Sequence, residues 1–182
     1  MVEAVRLLLI AGSLRDGSVN DAVLRTAAET APADVTATRY LSMASLPHFN
    51  PDDDHDPLPE PVVELRRAIA DSDAVMFCTP EYAGALPGSF KNLLDWTVGG
   101  METVDRPVAW INASTSPSGA SGTHDSLRTV LTYTGCRIVD EACARIPVNR
   151  AATDAGRVVD LELRDQIAAA IARLRDHVTA QR

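Results

Sequence analysis

The chain has none of the glycine signatures of the commoner nucleotide sites. No G-x-x-x-x-G-K-[ST] occurs, so no lysine is placed to reach the terminal phosphates of a nucleoside triphosphate. G-x-G-x-x-G is missing too. The stretch that reads as a second strand ends in Arg39-Tyr40, without the carboxylate that holds a ribose hydroxyl in dinucleotide sites. G-x-S-x-G is absent, and with it the usual hydrolase elbow. Cys78, Cys136 and Cys143 form no C-x-x-C pair and leave one thiol unmatched in any disulfide scheme. That usage points to a reducing, cytoplasmic setting and away from structural zinc. No apolar run nears the roughly 18 residues of a membrane helix. The Val5–Ala11 run lacks a basic leader, so neither a membrane span nor a signal peptide is expected. A formal charge of −8 argues against a nucleic-acid partner, which leaves a basic patch.

What is present is a regular alternation. At 182 residues and 46% hydrophobic content, residues 1–182 are expected to form one domain. Val5–Ala11 reads as a buried strand, Val19–Thr30 as a helix stopped by Pro32, and Val35–Tyr40 as a period-two strand near a sheet edge. Leu41–Pro59 is a long proline-rich loop. Its Asp52-Asp53-Asp54-His55-Asp56 cluster lacks the glycine and glutamate register of a calcium loop and is expected to be solvated. Pro61 opens a helix with Val62, Leu65 and Ile69 inward and Arg66 and Arg67 towards solvent. Ala74–Thr79 is an unbroken run typical of a central parallel strand.

Beyond it, Leu86, Phe90, Leu93 and Leu94 share one helical face, and Phe90 and Trp96 are expected in the core. Pro107–Ala113 is a fourth strand, followed by a small polar loop over Ser114–Gly122. A helix from about Thr123 to Thr134 stops at Gly135, Arg137–Ala142 is a fifth strand, and a last helix starts near Asp160. Such alternation implies an α/β, doubly wound parallel sheet of five strands with right-handed crossovers and helices on both faces. In the flavodoxin-like order 2-1-3-4-5, the loops after strands one, three and four converge on one crevice.

The first of those loops is the most informative. Gly12-Ser13-Leu14-Arg15-Asp16-Gly17-Ser18-Val19-Asn20 joins a strand to a helix whose start carries Ser18 and Asp21, the S-x-x-D form of a capping box. Backbone N–H groups at a helix start favour an anion, Ser13, Ser18 and Asn20 add side-chain donors, and Arg15 adds a planar cation. With no triphosphate or dinucleotide signature, a monophosphate ligand fits.

These residues resemble a known family. Gly12-Ser13-Leu14-Arg15 with Ser18 and Asn20 is similar to the first-loop signature of NAD(P)H-dependent FMN reductases. Pro80-Glu81-Tyr82, then Leu86-Pro87-Gly88 and Lys91-Asn92-Leu93-Leu94-Asp95-Trp96, resembles the second. The resemblance spans roughly residues 5–145. It implies a flavodoxin-like oxidoreductase that binds FMN and uses NADPH or NADH to reduce flavins, quinones or related small acceptors. It puts the FMN phosphate on Ser13, Arg15, Ser18 and Asn20, and the flavin ring on Pro80, Glu81, Tyr82, Ala83 and Gly84. Ser114 and the loop to Gly119 would close the other side.

Backbone N–H groups of residues 81–84 are expected to face charge developing on the reduced ring. The flavin carries the chemistry, so no catalytic residue and no metal are expected. Donor and acceptor would alternate in a ping-pong cycle. Relatives also imply a homodimer or homotetramer. Two departures stand out: Ala83 where many relatives have asparagine, and a fourth-strand loop with fewer glycines followed by His124, read as a surface histidine. The competing reading is an FMN-binding electron carrier without nicotinamide turnover, which the acidity allows.

Overall fold

The computed structural model describes residues 4–182. The strands β1 (Val5–Ala11), β2 (Val35–Tyr40), β3 (Ala74–Cys78), β4 (Pro107–Asn112) and β5 (Arg137–Ile138) form a parallel sheet in the order β2-β1-β3-β4-β5. That is the expected flavodoxin-like order. The register sets Ala11 beside Cys78, so the loops after β1 and β3 leave the sheet side by side.

The apolar runs are continuous because both faces of the sheet are covered. Val5, Leu7 and Leu9 of β1 point to one core, with Met76 and Cys78 of β3 and Ile111 of β4. α1 (Val19–Glu29) and α5 (Leu161–Ala180) close that side with Val23, Leu24, Ala27, Ile167, Ile171 and Leu174. Leu8, Ile10, Val75, Phe77, Val108 and Trp110 point to the other core. There α2 (Glu60–Ala70), α3 (Gly88–Asp95) and α4 (Ser121–Tyr133) supply Leu65, Phe90, Leu93, Leu127 and Leu131. Phe90 and Trp96 are fully buried, as expected. Each fully buried side chain of this size contributes about 1.5–3 kcal/mol of transfer free energy.

Four expectations need correction. The fifth strand does not run through to Ala142. It breaks after Ile138 into a single 3₁₀ turn over Asp140–Ala142 and resumes as β6 (Ala144–Arg145), which pairs with the far end of β4. In the turn, Asp140 meets Arg128 and Glu141 meets His177, so the interruption lets two carboxylates leave the sheet and find side-chain partners.

The capping box is not formed either. Ser18 is the N-cap but makes no side-chain cap bond; its N–H donates to Arg15 O at 3.2 Å, and the Asp21 carboxylate pairs with Arg39 of β2 at 2.6 Å.

The acidic loop is not wholly solvated, and Arg66 does not face solvent. Asp54 and Arg66 are both about nine-tenths buried and meet at 2.6 Å, while Arg66 Nε donates to the Trp96 carbonyl at 3.0 Å. The loop is keyed further by α3 and the residue after it. Asn92 Nδ2 and Trp96 Nε1 both donate to Pro47 O, at 2.9 and 2.8 Å, and Phe49 N donates to Asn92 Oδ1. Asn92 and Trp96 of the second family-like block therefore act as anchors for residues 41–59.

Finally, residues 146–160 hold structure that periodicity did not announce. A short hairpin, β7 (Thr153–Asp154) and β8 (Arg157–Val158), docks on α1 through Val158 N donating to Thr26 Oγ1.

Candidate functional site

At the carboxyl ends of β1, β3 and β4 lies a crevice of about 620 Å³, within the range of small-molecule sites. The loop after β1 contributes Arg15, and the first turn of α1 contributes Val19 and Asn20. Thr79, Pro80 and Glu81 come from the end of β3, and Ala113, Ser114, Thr115 and Ser116 from the end of β4. Val148, Asn149 and Arg150 come from the segment after β6, which the sequence reading did not place there.

Of the expected residues, the structure brings Arg15, Asn20, Pro80, Glu81 and Ser114 to this lining. Ser13 sits in the loop with its Oγ accepting from Arg15 N, and Ser18 is buried at the helix start. Tyr82, Ala83 and Gly84 form a tight turn beyond the lining. Gly119 lies behind it, its carbonyl accepting from Asn112 Nδ2 at 2.7 Å.

The local charge is the opposite of the chain's. Neither the Arg15 nor the Arg150 guanidinium has a hydrogen-bond or ion-pair partner among the described residues, and both line one crevice. The Arg150 guanidinium comes within 3.6 Å of where a side chain on Gly17 would begin, and Gly17 holds a φ of +63°. Two unneutralised cations beside the start of α1 favour an anion. Gly12 makes the approach possible, since a Cβ there would lie 2.2 Å from Thr79 Oγ1.

The β3 loop is held rigidly. Tyr82 and Ala85 exchange two backbone hydrogen bonds of 3.1 Å, with Ala83 (φ +51°) and Gly84 (φ +74°) between them. Two successive positive φ angles make this a type I′ turn, which favours Asn-Gly. Tyr82 N–H is therefore spent within the turn, whereas the amides of Glu81, Ala83 and Gly84 have no partner among the described residues. Glu81 Oε2 accepts from Thr123 N at 3.0 Å, so its carboxylate caps α4. Gly122 of α4 sits so close that a Cβ would be 2.1 Å from Gly84 O.

The third loop is organised by a residue the sequence reading passed over. Buried Asn112 takes Ser114 N on Oδ1 at 3.0 Å and donates to Gly119 O, closing residues 112–119 on themselves. Gly119 and Ala120 both have positive φ, and Ala120 leads into α4.

His124 is a correction. It is buried, Nδ1 donates to Ala120 O at 2.8 Å, and Nε2 has no partner among the described residues. Trp110 lies 6.2 Å away, with the Arg128 guanidinium 5.0 Å from the Trp110 ring. Burial holds the imidazole pKa below its ordinary value, so the neutral form prevails.

Comparison with known proteins agrees with this architecture. The chain is 28% identical over 165 residues to a quinone reductase of Escherichia coli, covering 88% of each chain. It is 30% identical over 165 residues to a 2-hydroxy-1,4-benzoquinone reductase of a Burkholderia species, covering 88% of this chain and 89% of that one. Among solved structures, the flavoenzyme NAD(P)H:(acceptor) oxidoreductase FerB of Paracoccus denitrificans superposes with a TM-score of 0.85. The two are 28% identical, over 97% of this chain and 98% of that one. A WrbA-like flavodoxin of Agrobacterium tumefaciens shares the fold alone, at a TM-score of 0.60 and 16% identity, over 96% of this chain and 99% of that one. The model of NADPH-dependent FMN reductases matches residues 5–148, and the chain belongs to that family of FMN-carrying, NAD(P)H-dependent oxidoreductases.

Proposed function

We propose that the crevice holds FMN by its phosphate and passes electrons from NAD(P)H to a small acceptor, a quinone or a free flavin. One observation carries the reading. Two unpaired arginines and the start of α1 face the same space as the Pro80–Glu81 turn, in a chain whose net charge is −8. An anionic tail and a flat body match those two ends. Arg15, Asn20, Ser13 and Ser18 would hold the phosphate, with Arg150 beside them. Residues Pro80–Gly84 would border the ring on one side, and Ser114 to Gly119 on the other.

When bound, FMN supplies the hydride-accepting ring. The chain's part is to bind, orient and screen. The free amides of Glu81, Ala83 and Gly84 are donors held by a turn that is itself braced on α4, so they need no rearrangement to face negative charge. Donor and acceptor take turns at one open place, which gives parallel double-reciprocal lines at several fixed acceptor levels.

The same proposal places residues 1–182 as one unit in the cytoplasm. Its three cysteines are free, and no helix among the described residues is long and apolar enough to cross a membrane. A homodimer or homotetramer is part of it. Val98, Met101 and Tyr133, all strongly exposed, surround a hollow of about 300 Å³ away from the crevice. Anaerobic mixing with NADPH tests the enzymatic reading: the flavin absorbance of the loaded protein bleaches rapidly. A flavin that binds but stays oxidised would make this a carrier instead.

A further inference from the structure

We infer that Cys78 is a positioning residue for the anionic end of the crevice, its thiol fixing which way the Asn20 side-chain amide faces. The inference rests on the FMN reading above. Cys78 closes β3 and is fully buried between the start of α1 and the end of β4. Its Sγ lies 3.3 Å from Asn20 Oδ1, with the thiol placed to donate and the amide oxygen to accept.

The thiol carries one proton to donate, and it pairs with the amide oxygen rather than with the NH₂ group. Asn20 is therefore held with its oxygen inward and its two N–H donors free, without another partner among the described residues. Asn20 lines the crevice in the first turn of α1, beside unpaired Arg15. Turned the other way, the amide would present a carbonyl oxygen to an incoming phosphate.

Burial raises the pKa of Cys78 well above its ordinary value, which keeps the proton on sulfur at any pH where the protein works. In this account the thiol neither reacts nor touches the ligand. It ties the end of β3 to the first turn of α1 and sets which atom of the Asn20 amide the crevice meets.

The test compares FMN with riboflavin, which lacks the phosphate. Dissociation constants from flavin fluorescence quenching are measured for the wild type, Cys78→Ala, Cys78→Ser, Asn20→Ala and the Cys78→Ala/Asn20→Ala pair. Cys78→Ala is expected to weaken FMN by about five- to tenfold, the scale of one hydrogen bond, and to leave riboflavin within twofold. Cys78→Ser, which restores a donor, recovers most of the loss. In the Asn20→Ala background, Cys78→Ala has no further effect on FMN.

Equal weakening of FMN and riboflavin would overturn the inference, since it would report only a void in the core. So would an FMN preference that Cys78→Ala leaves intact, or an undiminished Cys78→Ala effect once Asn20 is gone. A wild type that holds riboflavin as tightly as FMN would instead sink the phosphate reading, and this inference with it.

Discussion

Gly122→Ala and Gly88→Ala are the same change in the first turn of two helices, and the structure gives them opposite signs. On helix propensity alone each would gain about 0.5 kcal/mol, because alanine loses less backbone freedom than glycine. At Gly88 of α3 a Cβ meets nothing within 4 Å, so that gain is expected in full. At Gly122 of α4 the Cβ would lie 2.1 Å from Gly84 O and 3.1 Å from Glu81 Oε2. The first atom is a backbone carbonyl in a turn pinned by two hydrogen bonds, so it cannot rotate aside. About 1 Å of separation must come from moving the turn off α4.

Overpacking of this size costs about 1–3 kcal/mol. Strain on the bond from Thr123 N to Glu81 adds up to about 1 kcal/mol. A net loss of about 1–3 kcal/mol follows, which lowers Tm by roughly 2–12 °C for a chain of this length. Because the displaced turn carries Glu81, Ala83 and Gly84, FMN and riboflavin affinity should fall together. Differential scanning calorimetry and flavin titration on both variants are the assay. A Gly122→Ala protein as stable as Gly88→Ala, with unchanged flavin affinity, would refute the claim that α4 braces the turn.

Asp54→Ala strands a buried guanidinium, and should cost about 3 kcal/mol in urea unfolding. Replacing the pair together, as Asp54→Leu/Arg66→Met, should restore most of it, and additive losses would show that the two side chains are not coupled. Ala83 sits in the left-handed region, where a Cβ is penalised, so Ala83→Asn should gain about 0.5–1 kcal/mol and a higher Tm. A lower Tm would count against the type I′ turn. His124 is held neutral by burial, whereas the unfolded chain takes up a proton at the ordinary histidine pKa of 6.5. Its share of stability is therefore complete above pH 6.5 and lost as pH falls below it. His124→Gln should flatten the fall in stability between pH 7 and 5, and an unchanged slope would place the imidazole in solvent.

The sheet was legible because both of its faces are buried. Leu7 and Leu9 against Leu8 and Ile10 need no polar alternation to declare a central strand, and the flanking helices carry clear apolar faces. The strand-to-helix turn after β1 was legible as well, and the structure sets its Arg15 and Asn20 on the crevice.

What escaped depends on contacts distant in sequence. Nothing local marks Arg66 as buried rather than solvent-facing; that depends on Asp54, twelve residues earlier, and on the Trp96 carbonyl. Arg150 lies in a segment without apolar periodicity, and only its docking beside Gly17 brings it to the crevice. Asn112 ends a strand like any small polar residue, and its two bonds across the next loop exist only once that loop has closed.

The central claim is that these loops meet to hold the phosphate of a flavin, and titrating the protein with FMN tests it most directly. Wild type should quench FMN fluorescence saturably. Arg15→Ala should weaken binding by about 1.5–3 kcal/mol, the loss of one charge-assisted hydrogen bond. Absence of quenching at any protein concentration, or an identical dissociation constant after Arg15→Ala, would contradict the account.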